Sequence, residues 1–169
     1  MVYNDEMADS TAAAQRTVII AIDDSEFSMY AFDFYVEHIH REKDNIVLVH
    51  VPEFHSIVQA PALLTDPNVV SELIKEEEAG IKKLINKFSD KMKAAKLGGK
   101  VKQMVGKVGE AIIEASKEEH ADFIVVGTRG MGTIRRTFLG SISDYCLHHS
   151  NVPVFVCCHR DHHQKHHHH

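Results

Sequence analysis

Cysteine is scarce in this 169-residue chain: Cys146, Cys157 and Cys158 form no CxxC pair, and two of them are adjacent. That pattern is a poor disulfide framework and fits thiols in or near the core of a cytoplasmic protein. No apolar run is long enough to suggest a membrane span, and no secretory signal is legible. Positive charge is not in excess. Nineteen lysines and arginines against 24 acidic residues leave a net charge of −5, which argues against a general nucleic-acid binder. The lysines at 91, 93, 96, 100, 102 and 107 read as a solvated helix face and loop. Proline is rare as well, and three of the four prolines fall within residues 52–68, a stretch with no periodicity. So long a loop in a compact domain is usually functional or disordered.

What remains is the composition of one ordinary α/β domain. Residues 1–16 are polar and alanine-rich and read as a flexible tail, residues 17–158 as the domain. Residues 159–169 read as a second tail, whose four terminal histidines look like a purification tag. Thr17 to Ile22 is continuously aliphatic, as expected of a strand buried on both faces. Ser25 can cap a helix over 27–40, and a second strand spans 45–51. Asp66-Pro67 opens a helix to about Lys96, followed by a weaker strand at 100–105 and a helix at 109–119. A strand at 122–126, a helix at 141–149 and a strand at 153–157 complete the chain. The alternation specifies a single Rossmann-like α/β domain with a mainly parallel sheet and helices on both faces. Ligands of such sheets bind beyond the carboxyl ends of the strands, where the strand order reverses.

Two strand ends look specialised for that position. One is Ile22-Asp23-Asp24-Ser25, and the other is the glycine-rich stretch 127–141, which holds four of the nine glycines. A strand, a glycine-rich loop and a helix N-terminus together make a common phosphate cradle. A Walker loop is excluded, because Gly127 and Gly132 have its spacing but Thr133 stands where its lysine should be. The dinucleotide fingerprint fails too: Gly130-x-Gly132 is followed by Arg135, after the fourth strand rather than the first. Ser141 lies in Gly-Ser-Ile-Ser and lacks the nucleophile elbow of a hydrolase.

The remaining pattern is G-x2-G-x9-G-S, formed by Gly127, Gly130, Gly140 and Ser141. With the first-strand ending Ala-Ile-Asp-Asp-Ser-Glu and the final Pro-Val-Phe-Val, it resembles the universal stress protein family over Thr17 to Cys157. The resemblance implies a five-stranded parallel sheet of order 3-2-1-4-5 and, in the ATP-binding branch, one nucleotide per protomer. It places Asp23 beside the ribose and adenine, and the Val51 backbone at the adenine edge. Gly127, Gly130, Gly140, Ser141 and Ser143 then take the phosphate and ribose contacts. ATP, or AMP or ADP, is the implied ligand, with Mg²⁺ or Mn²⁺ on the phosphates. The family also pairs its last strand across a two-fold axis, which makes Val154, Phe155 and Val156 the expected homodimer interface.

Plainer readings stand beside these. The glycines can serve a structural turn, Asp23 can be a helix cap, and Ser143 a surface residue. Arg129 brings positive charge to the loop, whereas Arg135 and Arg136 read as solvated more readily than as contacts. Asp24 stands where the family often has glycine, and it either caps the first helix or joins Asp23 in holding a metal ion; capping is the better fit. The leading function is an ATP-binding, dimeric, cytosolic stress-response or signalling module, with no nucleic-acid or membrane partner. The alternatives are a slow ATPase or adenylyl-transfer enzyme and a dimerisation scaffold without nucleotide. The missing Walker lysine favours binding over turnover.

Overall fold

A computed structural model of the chain describes residues 15–53, 65–129 and 139–159. Strand β1 (Thr17–Ile22) leads into helix α1 (Glu26–Phe34), which continues as a π-helical turn over Tyr35–Ile39. Next come β2 (Asn45–His50), α2 (Pro67–Ala94), β3 (Gly99–Gln103) and α3 (Val108–Glu118). β4 (Phe123–Arg129), α4 (Ser141–His149) and β5 (Val154–His159) complete the order. The five strands form one sheet of order β3-β2-β1-β4-β5, and each pairing is parallel. This is the expected fold and strand order. Residues 54–64 of the expected long loop, the tail residues 1–14 and residues 160–169 lie outside the described residues.

The continuous apolar strands follow from burial on both faces. Val18, Ile20, Ile46, Leu48 and Val125 turn to one face, where Phe32, Tyr35 and Phe88 of the first two helices and the π turn cover them. Ile19, Val47, Val49, Ile124 and Val126 turn to the other, against Ala111, Ile112, Ala115 and Cys146 of α3 and α4. Side chains alternate along a strand, so only an unbroken aliphatic run can feed both layers. Cys146 and Cys157 are buried in these layers, and burial pushes both thiols up to about 11.

Local signals set the helix starts. The Ser25 hydroxyl accepts from the Ser28 amide at 3.3 Å and caps α1, so the cap is Ser25 and not Asp24. Asp24 turns away, its carboxylate 3.9 Å from Lys87 Nζ of α2. Asp66 caps α2 through the Asn68 amide at 2.9 Å, with Pro67 in the first turn as its rigid φ favours. Only Leu84, Phe88 and Met92 of that helix are buried, while Ile74 near its start is 40% exposed.

The two sheet edges differ in chemistry. On β3, Lys100 and Lys102 pair with Glu118 and Glu119 at 2.6 to 3.0 Å, so part of the lysine run is neutralised at the sheet rather than free in solvent. On β5 the edge is apolar, and Phe155 is 44% exposed with its ring 5.2 Å from that of Phe123.

The amino ends of the strands are closed by an ionic network around Asp44. Its carboxylate, 2% exposed, takes two bonds from Arg16, at 2.8 and 2.6 Å, and one from Tyr35 Oη at 2.7 Å. The Arg41 amide adds a fourth at 3.0 Å. Arg16 also reaches the Ile39 carbonyl at 3.1 Å, tying the π turn to the residue that precedes β1. Arg16, counted with the tail in the sequence, is therefore anchored to the domain.

Candidate functional site

A cleft opens at the carboxyl ends of β1, β2 and β4, the point where the chain crosses from one side of β1 to the other. Asp23, Val51 and Gly127 all line it, although 28 and 76 residues separate them along the chain. Val49 and Val51 of the β2 end, Val108 and Ile112 of α3, and Ile142 of α4 give it an apolar wall. Val108 and Ile112 carry no motif and were not singled out as site residues. The signal available was their spacing of four at the start of a helix, which puts both on the face toward the sheet.

Asp23 is exposed at the mouth. Its Oδ1 accepts from the Ser25 amide at 2.9 Å and from the Ser25 hydroxyl, while its Oδ2 has no partner among the described residues. Ser28 pins the same corner from below, donating to the Asp23 carbonyl at 2.8 Å and lying 3.1 Å from its amide. The carboxylate is thus held in one orientation with an acceptor oxygen left over. His50, at the end of β2, is 7% exposed, and its Nδ1 has no partner among the described residues. Burial lowers its pKa below the usual value, with the Asp23 charge opposing part of that shift.

Gly127 is not a loop residue. β4 runs on through Thr128 and Arg129, paired in register with Cys157, Cys158 and His159 of β5. The glycine is required by close approach: a Cβ there would lie 2.6 Å from the Phe27 carbonyl carbon and nearer still to its oxygen. Its absence lets the start of α1 lie directly on the strand. Arg129 closes β4, while Gly130, Arg135 and Arg136 lie outside the described residues.

The chain returns at Leu139. Gly140 has φ of 89°, a conformation costly for any residue with a Cβ, and Ser141 begins α4. Among the described residues no side chain caps this helix, and Ile142 of its first turn lines the cleft. Ser143 is not on the surface: it is 2% exposed, and its hydroxyl donates to the Leu139 carbonyl, with the Gly140 carbonyl at 3.2 Å. Among the described residues, no three His, Cys, Asp or Glu side chains converge in a way that could hold a metal ion. No described helix is long and apolar enough to cross a membrane.

Comparison with known proteins gives a consistent result. The sequence model of the universal stress protein family matches residues 15–157. The universal stress protein PHOS34 of Arabidopsis thaliana is 28% identical over 163 residues, covering 86% of this chain and 63% of that protein. The chain thus spans less than two thirds of that relative. Among solved structures, a universal stress protein family member from Arabidopsis thaliana with AMP bound superposes with a TM-score of 0.64 at 22% identity. The match covers 86% of this chain and 92% of that one. A universal stress protein in complex with cAMP gives a TM-score of 0.59 at 24% identity, over 85% and 97% of the two chains. At such identities the superpositions establish the fold.

Proposed function

The chain belongs to the universal stress protein family, and from that premise we propose that it binds an adenine nucleotide, ATP or AMP, as a cytosolic dimeric signalling module. The observation that carries this reading is the convergence of Asp23, Val51 and Gly127 on one cleft that also takes in Ile142, in the first turn of helix α4. The apolar wall suits a flat base, and the free oxygen of Asp23 suits ribose hydroxyls. The amides at the start of α4 suit phosphate. Crystallised relatives with AMP and with cAMP lend support by analogy. A magnesium or manganese ion fits only as a companion of the phosphates, since Asp23 faces the ribose in this reading and Asp24 faces Lys87.

The test is direct. Denatured protein should release an adenine nucleotide on chromatography, or ATP with Mg²⁺ should raise the melting temperature of nucleotide-free protein. Asp23→Ala should weaken adenosine and ATP alike by about tenfold, the worth of one to two hydrogen bonds. The absence of both release and thermal shift would end the proposal.

The dimer rests on the apolar β5 edge. Val154 and Val156 also pack on the chain's own core, whereas Phe155 is exposed, so it is the residue to change. Phe155→Glu should place a charge in the shared edge and halve the mass seen by light scattering. An unchanged dimer would exclude that edge.

A further inference from the structure

Two hydroxyl groups at the base of the glycine-rich segment are left unused by the nucleotide contacts. Thr128, 8% exposed near the end of β4, donates to the carbonyl of Leu139, eleven residues further on. Ser143, 2% exposed, donates to the same carbonyl from within α4. Ser143 bonding back to a carbonyl four residues earlier is a local habit of helical serines. The Thr128 bond is not local, and it ties α4 to the sheet at the residue before its cap. Gly140 completes the fit, since a Cβ on it would stand 3.2 Å from Thr128 Oγ1.

We infer that Thr128 and Ser143 are positioning residues, which aim the first amides of α4 at the phosphate of a bound nucleotide. The inference rests on the adenine-nucleotide reading and alters it at one place. A hydroxyl has one proton to give. Ser143 spends its proton on the backbone, so toward a phosphate it offers only lone pairs, which an anionic oxygen repels. Its role is exerted through Leu139 and not by contact. The same carbonyl takes the Thr128 proton, so the direction in which the chain enters α4 is set by both side chains together. Small rotations there would swing the Ser141 and Ile142 amides away from the cleft.

Thr128→Val keeps the shape and removes the hydroxyl, while Thr128→Ser keeps the hydroxyl. Thr128→Val should weaken AMP and ATP by about tenfold and adenosine, which has no phosphate, by at most about twofold, since one hydrogen bond is at stake. Thr128→Ser should restore wild-type affinity. Equal losses for AMP and adenosine, or no loss at all, would overturn the inference. Amide hydrogen exchange in the nucleotide-free protein gives a readout that needs no ligand. Exchange at Ser141 to Ser143 should be faster in Thr128→Val than in wild type or Thr128→Ser, and unchanged exchange would overturn the inference. If wild-type protein binds neither AMP nor adenosine, the nucleotide reading fails and the aiming of amides at phosphate fails with it. The exchange result then shows whether the hydroxyl tie alone is real.

Discussion

Asp44→Ala is expected to cost the fold about 3–5 kcal/mol, a large share of the stability of an ordinary domain. The reason is what it leaves behind. Arg16 would keep a half-buried guanidinium with no carboxylate, and the buried Tyr35 hydroxyl would lose its carboxylate acceptor and keep only His40 Nδ1 at 3.1 Å. Burial by itself pushes the Asp44 carboxyl up, but the bonds from Arg16, the Arg41 amide and Tyr35 outweigh it and hold the group at about 2. A carboxyl held below its ordinary value of 3.8 adds stability that is fully present above about pH 4. That stability is lost as pH falls from about 4 to about 2, and it amounts to about 2 kcal/mol. Urea denaturation across pH 2 to 7 checks both parts. Asp44→Ala should lower the midpoint throughout neutral pH and flatten its acid limb. A variant with the wild-type acid limb would show that other carboxylates set it.

Gly127→Ala should be the second large effect, and it reaches both stability and binding. The new methyl group would meet Phe27 backbone, which cannot rotate aside as a side chain can. Either β4 or the start of α1 must move, at a cost of about 1–3 kcal/mol for an overpacked site. The same movement carries Ser25 and Ser28, which hold Asp23 in place. A lower melting temperature is therefore expected together with weaker adenosine binding. A variant that melts like wild type would mean that α1 has slack at Phe27.

The sequence made the fold plain because each core strand had to be apolar on both faces, as Ile19 and Ile20 are, and because the helices between them carried caps at Ser25 and Asp66. Asp23, Val51 and Gly127 were legible as cleft residues through the family resemblance. The position of Gly127 inside a strand was not. Glycine reads as a loop signal, and its true cause is a helix backbone lying across it from 100 residues earlier in the chain. The Asp44 network was hidden for a similar reason, since Lys43-Asp44-Asn45 looks like a solvated turn and Arg16 lies 28 residues away. Ser143 could be read as a surface hydroxyl because a sequence shows a residue's chemistry but not which way it faces.

The contrast between the two edges of the sheet would limit how far the proposed assembly could grow. Were both edges apolar, each copy could add another at either end, and the sheets would line up into an open filament. The β3 edge instead presents lysines already matched to Glu118 and Glu119, and a strand docking there would have to strip charges of their water. In the pair proposed through β5, only those charged edges would face outward. Growth would then stop at two, because the second copy would use up the edge that can still accept a strand.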